Sequence, residues 1–411
     1  MEEIKLLDFE INNNDLLENC SDSPVDLTID EKYNNGVSRV VTETGSYKVN
    51  LLKDIFAKGS NYNLEPDYQR RITWNKKKRS KLIESLIMNI PIPPIYLFET
   101  NYNQYEIMDG LQRVTAIIDF YKDDYSLSGL EEWPELNGKR YSKLDPIIRE
   151  GIDRRQISVI TLLKETALDT NQSEKIKRLV FERLNTGGVK LTGQEIRNAI
   201  FNGPGNDLCK KLSENPLFRE LWEMPDVYEI ADSDSDFEGE EVDEADFVYN
   251  LKQYKKLKSN TLYKRMGDVE MVLRFFSMRH INNFVGSLVE FLDNNLKILN
   301  TFNEEQLKVL ENMFLETLKK AKNLFGTYAF KLFRDNEWTT PLRMIYDPMM
   351  LSLCSLEISE NLSSTLSERI EELKLFYLKN EDTFFGKLQT KDFIAERFKL
   401  LSEFLKKYAT N

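Results

Sequence analysis

A chain of 411 residues, 41% apolar and 30% charged, is long enough for two or three domains and has the make-up of a globular protein, neither collagenous nor wholly disordered. Its net charge of −12 argues against indiscriminate coating of nucleic acid but leaves room for a local basic groove. The single histidine, His280, all but excludes chemistry that needs a histidine pair or a His–Asp couple, and three scattered cysteines suggest neither a disulfide framework nor a zinc site. No stretch is long and apolar enough to span a bilayer, and Met1-Glu2-Glu3-Ile4-Lys5 lacks the layout of a signal peptide, so the expected location is cytoplasmic.

In chain order, residues 1–45 are rich in Asn, Asp and Glu and read as a polar N-terminal arm that contributes at most one strand. From Tyr47 the apolar pattern tightens, and Val49, Leu51, Leu52, Ile55 and Phe56 suggest a strand running into a helix. Pro66-Asp67-Tyr68-Gln69-Arg70-Arg71-Ile72-Thr73-Trp74 follows, and the run Arg70 to Lys81 holds seven bases and no acid. Asn75 suits the N-cap of a helix whose apolar face is Leu82, Ile83, Leu86, Ile87 and Ile90, stopped by Pro91. Four bases, Lys76 to Arg79, at such a start oppose the helix dipole, which hints at an anionic partner.

Ile92 to Phe98 reads as a strand, Asn101 to Gln104 as a turn, and Tyr105 to Met108 as the next strand. Asp109-Gly110 makes a hard turn into a helix with Val114, Ile117, Ile118 and Tyr121 on one face. A strand that passes through a glycine into a helix aims unpaired N–H groups at the turn, and Arg113 could add a planar, permanently charged fork for phosphate. An ordinary strand–turn–helix with a surface Asp and Arg explains the same letters. Residues 124–150 read as a mixed loop and Gln156 to Leu162 as a further strand.

Ile176, Leu179, Val180 and Leu184 form a helix face that ends at Gly187-Gly188, and Thr192 with Glu195 makes a capping box for the next helix. Helix–turn–helix geometry accounts for those residues but not for Asn185, Arg197 and Asn198, polar side chains flanking the turn. Glu229 to Asp246 then carries ten acids and no base, and Lys252 to Arg265 six bases and no acid, which reads as a mobile insertion. From Asp268 the pattern is helical, at about 268–280, 284–298, 303–324, 347–357, 363–378 and 391–408, with no strand pattern.

Pro66-Asp67-Tyr68-Gln69-Arg70 with Trp74, then Asp109-Gly110-Leu111-Gln112-Arg113, then Leu184-Asn185-Thr186-Gly187-Gly188 through Glu195-Ile196-Arg197-Asn198, together resemble one family. It is the ParB-like N-terminal domain of GmrSD-type modification-dependent restriction enzymes and related phage-defence proteins. The resemblance covers about residues 45–200, with a weaker echo after Asp268. Leu111 departs from the family's Asp-Gly-Gln-Gln-Arg pattern, standing where its first glutamine would be.

The resemblance implies an α+β protein, a ParB/sulfiredoxin-like domain followed by an all-α domain. The expected boundaries are an arm at 1–45, a nucleotide-binding domain at 46–203, a connecting helix and insertion at 204–266, and a helical domain at 267–411. Family relatives hydrolyse nucleoside triphosphates through the second motif. Carried over, Arg113 would neutralise phosphate, Gln112 would position phosphate or water, and Asp109 would hold Mg2+ or orient the Gly110 turn. Gln69 and Arg70 would approach from the facing strand, and Asn185 and Arg197 would close the other side. The function so implied is an NTP-binding and NTP-hydrolysing sensor or regulatory component of an anti-phage restriction system, acting on DNA with a nuclease or other effector partner. Self-association is left open. The histidine–asparagine–histidine nuclease of such enzymes cannot be in a chain with one histidine. Two alternatives stand beside this: a nucleotide-gated DNA-binding protein without turnover, and a Mg2+-dependent nickase.

Overall fold

The computed structural model describes residues 6–12, 40–57, 59–63, 74–164, 170–184, 191–226, 256–257, 259–359, 362–384 and 391–410. They form two compact units, one from the described residues between 40 and 200, the other from 6–12, 201–226 and 256–410. The class is α+β, a sheet unit followed by helices, as expected. Among the described residues no helix is long and apolar enough to cross a membrane.

The chain opens with α1 (Asp8–Asn12), which belongs to the helical unit. The sheet unit then runs β1 (Thr42–Lys48), α2 (Leu52–Ile55), β2 (Tyr62–Asn63), α3 (Lys76–Ile87), β3 (Ile95–Asn101), β4 (Gln104–Asp109), α4 (Leu111–Tyr121), α5 (Pro146–Asp153), β5 (Gln156–Leu162), α6 (Thr170–Leu184) and α7 (Gly193–Ile200). Its five strands lie in the order β1-β5-β3-β4-β2, with β1/β5 and β3/β4 antiparallel and β3/β5 and β2/β4 parallel. Strand alternation separates the two faces. Ile95, Leu97, Ile107, Ile157 and Val159 join a core with Leu82, Ile83 and Leu86 of α3 and Val114, Ile117 and Phe120 of α4. On the other face, Phe98 of β3 and Glu106 of β4 meet Lys177 of α6, which ion-pairs with Glu106 and lies 5.4 Å from the Phe98 ring centroid. The sheet is curled, because Tyr47 of one edge strand and Tyr62 of the other bring their hydroxyls to 2.9 Å.

Two expectations here need correction. The helix α3 ends at Ile87, and Ile90 is exposed rather than part of its apolar face. The residue before a proline is pushed out of the helical region, so the chain turns earlier, with Asn89 at φ 59°. Residues 124–150 are also not loop throughout, since α5 starts at Pro146, with Asp145 as N-cap and proline in the first turn.

The helical unit contains α8 (Pro204–Ser213), α9 (Pro216–Leu221), α10 (Thr261–Lys264), α11 (Gly267–Met278), α12 (Leu288–Leu299), α13 (Glu304–Phe325), α14 (Arg343–Ser355), α15 (Leu366–Lys379), α16 (Glu381–Phe384) and α17 (Lys391–Leu405). The expectation of no strands is overturned by a small hairpin, β6 (Phe333–Arg334) with β7 (Glu337–Trp338). Its turn residues Asp335 and Asn336 sit at φ 52° and 63°, the left-handed pair that a two-residue hairpin loop demands. The helix expected from 347 starts at Arg343 and runs through Pro348. Next to that proline, buried Asp347 pairs with buried Arg274 of α11, whose Nε donates to Oδ1 at 3.0 Å and to Oδ2 at 3.1 Å. His280 follows the end of α11, as the apolar run before it suggested.

Candidate functional site

Strand β4 delivers Asp109 to the end of the sheet, paired with Tyr96 of β3. Gly110 then takes φ 105°, ψ 2°, a left-handed conformation that turns the chain straight into α4. A Cβ at this position would stand 3.1 Å from Nη2 of Arg113 and 3.3 Å from Cα of Ile95, so both the backbone angle and the space call for glycine. No side chain caps α4. Its first-turn N–H groups and the positive end of its dipole therefore face the turn, which is the arrangement that receives anions.

The charged residues at the turn are committed to each other. Nη2 of Arg113 donates to Oδ2 of Asp109 at 2.7 Å and to the Pro94 carbonyl at 3.0 Å. Nε of Arg113 is buried without a hydrogen-bond partner. The Arg113 side chain is only 12% exposed, whereas that of Asp109 is 39% exposed. Gln112 is engaged too, its Oε1 accepting the Trp74 backbone N–H at 2.9 Å. That bond sets the start of α3 beside the start of α4, because Trp74 precedes Asn75, whose Oδ1 caps α3 by accepting from Lys78 N at 2.9 Å.

The basic start of α3 divides into two kinds of residue. Arg79 faces Asp119 at 3.4 Å and lies 5.0 Å from the Tyr125 ring centroid, while Lys81 pairs with Glu131 at 2.6 Å. Lys78 lies over the Trp74 ring at 4.5 Å and, like Lys77, is exposed. The unfavourable charge against the α3 dipole is therefore offset by local acids at Arg79 and Lys81, and Lys77 and Lys78 put positive charge at the surface beside Trp74.

Of the other expected residues, Arg197 lies on α7, buried, with Nη1 donating to Oε1 of Gln194 at 2.9 Å. The expected capping box starts this helix, Glu195 N donating to Thr192 Oγ1 at 3.2 Å and Thr192 N to Glu195 Oε2 at 2.7 Å. Helix α7 packs on α6, which reaches β4 through the Lys177–Glu106 pair. Gln69, Arg70 and Asn185 lie outside the described residues, as does the acidic run 229–246. Asp109, Gly110, Gln112 and Arg113 are thus brought together with Trp74, whereas the side-chain bond of Arg197 described above is to Gln194 of its own helix.

Among the described residues no group of three or more His, Cys, Asp or Glu could hold a metal ion. Asp109 offers one carboxylate, a donor set that suits Mg2+ when phosphate oxygens and water complete its shell. The sequence reading missed the Pro94 carbonyl and the Trp74 N–H as partners of Arg113 and Gln112. The sequence singles out Asp109 and Arg113 each, but not as partners of one another.

Residues 52–202 match the family model described as GmrSD restriction endonuclease, N-terminal domain, which bears out the resemblance drawn from the three motifs. The match ends where the helical unit begins its longer run of chain. No curated protein and no solved structure matches the chain.

Proposed function

We propose that the chain binds a nucleoside triphosphate at the Asp109–Arg113 turn and serves as a nucleotide-dependent sensor or regulatory component of a restriction-type, phage-defence system. The family match supports the restriction setting and, with it, action on DNA. One observation carries the site: an uncapped helix start behind a left-handed Gly110, with one cation and one carboxylate in contact across it. A phosphate entering this turn competes with Asp109 for the Arg113 guanidinium, because both are anions suited to the same planar fork. As Arg113 turns to phosphate, the Asp109 carboxylate is released and becomes the residue that would hold Mg2+. Bound there, the ion supplies charge neutralisation at the phosphates. The exposed Lys77 and Lys78 add long-range attraction for the same anion or for a nucleic-acid backbone.

Hydrolysis is the leading activity, with release of inorganic phosphate passed as a signal to an effector carried on another chain. A second reading, gating by binding without turnover, is favoured by Gln112. Its oxygen is held by Trp74 N, and Leu111 offers no second amide to orient water. Purified protein with each of the four NTPs and Mg2+, with and without DNA, separates the readings. Phosphate release lost in Asp109→Ala and Arg113→Ala supports hydrolysis. Saturable binding without release supports gating. Plasmid nicking that needs no nucleotide contradicts both.

A further inference from the structure

Strand β1 stands at one edge of the five-stranded sheet and is seven residues long. It pairs with β5 in unbroken antiparallel register, from Thr42 opposite Leu162 to Lys48 opposite Gln156. Just beyond the two ends of that ladder, Val49 N donates to the Arg155 carbonyl at 2.9 Å and Leu163 N donates to the Val41 carbonyl at 3.0 Å. Backbone groups alternate in direction along an antiparallel strand, so the odd-numbered residues from Val41 to Val49 aim theirs at β5. Those of Thr42, Thr44, Ser46 and Lys48 point the other way, and among the described residues no strand pairs with that side. Thr42 to Ser46 and Lys48 are all exposed.

An edge of this length is a template for another strand unless a proline or a bulge blocks it. β1 has neither, and its two charges, Glu43 and Lys48, lie towards opposite ends. Antiparallel alignment of two β1 strands sets the Glu43 end of each beside the Lys48 end of the other, whereas parallel alignment sets like charges together. Gly45, in the middle of the strand, has no reason within its own chain: its φ is not positive, and an added Cβ would meet nothing within 4 Å. Glycine inside a strand weakens it and commonly marks the close approach of another backbone. In an antiparallel pair centred on Gly45, Thr42 faces Lys48 of the other copy, Thr44 faces Ser46, and the outward groups of all four exchange hydrogen bonds. A shift of two residues either way leaves Thr42 or Lys48 without a partner, and a shift of one opposes unlike faces of the two sheets. Gly45 then meets Gly45 of the other copy at the two-fold axis as a non-hydrogen-bonded pair, the closest approach between antiparallel strands, about 4.5 Å between Cα atoms.

We propose that β1 is a self-association edge, on which two copies of this chain pair their β1 strands antiparallel about Gly45 and join their sheets across a two-fold axis. The occupant is a second copy because the strand complements itself in hydrogen bonds, in faces and in charge. The pairing uses no residue of the Asp109–Arg113 turn, so its test stands apart from the nucleotide reading.

Sedimentation equilibrium of the full chain over a range of concentrations provides that test. The parent should show a monomer–dimer equilibrium. Thr44→Pro removes an outward N–H, which an edge strand tolerates on its solvent side, and should weaken the dimer at least tenfold, with Thr44→Ala as the control that keeps it. Register is read by cross-linking. Gly45→Cys should give a disulfide-linked dimer under mild oxidation, because the pair faces itself at a separation that a disulfide spans. Thr42→Cys, also exposed, faces Lys48 of the other copy and should link no more than the parent with its own cysteines. A chain that stays monomeric at every concentration, a dimer that Thr44→Pro leaves intact, or equal cross-linking by the two cysteine variants overturns the proposal.

Discussion

Gly110→Ala puts the geometry of the candidate site under direct strain. At φ 105° an L-residue costs about 1–2 kcal/mol, and the new methyl would press on the Ile95 backbone at 3.3 Å, which cannot yield as a side-chain tip can. Overpacking of that kind adds about 1 kcal/mol or more, so a loss of roughly 2–3 kcal/mol from the sheet unit is expected. For a unit of this size that lowers the midpoint by roughly 5–10 °C in calorimetry. The control lies in the same sheet: at Gly45 of β1 an added Cβ meets nothing within 4 Å, so Gly45→Ala should stay within about 1 kcal/mol of the parent. The Cβ at Gly110 would also stand 3.1 Å from Arg113 Nη2, so phosphate affinity should fall along with stability. Equal melting and equal nucleotide affinity for the two alanine variants would refute the reasoning.

Breaking the buried Arg274–Asp347 pair with Arg274→Met should destabilise the helical unit by about 3–5 kcal/mol in denaturant unfolding, whereas replacing both partners with apolar residues should cost much less. Thr192→Ala removes one half of the α7 capping box and should cost about 1 kcal/mol in the same assay. Glu10 gives a pH dependence. Burial raises its carboxyl, but hydrogen bonds from His280 and Arg279 and the Arg279 charge outweigh this and hold it at about 2, against an ordinary 4.5. A depressed acid stabilises above its unfolded value, here by about 3 kcal/mol, and loses that contribution as pH falls through the folded value. Protection of the Ile11 amide should therefore be flat from about pH 7 to 5 and decline between about 4.5 and 2.

Local signals carried far in the sequence. Strand β5 and the apolar face of α4 follow from period and composition, and Asn75 and the Thr192–Glu195 box from side-chain acceptors at helix starts. Gly110 was legible as a hard turn because glycine takes positive φ at little cost, and it does so here between β4 and α4. Non-local facts were hidden. Nothing near Arg113 in the sequence shows that the Pro94 carbonyl holds it, and nothing near Gln112 points to Trp74. The acidic, Asn-rich composition before residue 45 conceals that Glu10 meets Arg279, a contact made 269 positions away. The β6–β7 hairpin escaped notice because two-residue strands have no periodicity, although Asp335-Asn336 is a turn pair.

Equilibrium binding of a radiolabelled nucleoside triphosphate with Mg2+ tests the central claim most directly, with the parent chain, Arg113→Ala and Asp109→Ala measured side by side. Saturable binding by the parent is expected, weakened at least tenfold by Arg113→Ala, with Asp109→Ala losing the Mg2+-dependent part of the affinity. Identical affinity in all three proteins, or none in the parent for any of the four nucleotides, would contradict the assignment of the Asp109–Arg113 turn as a nucleotide site.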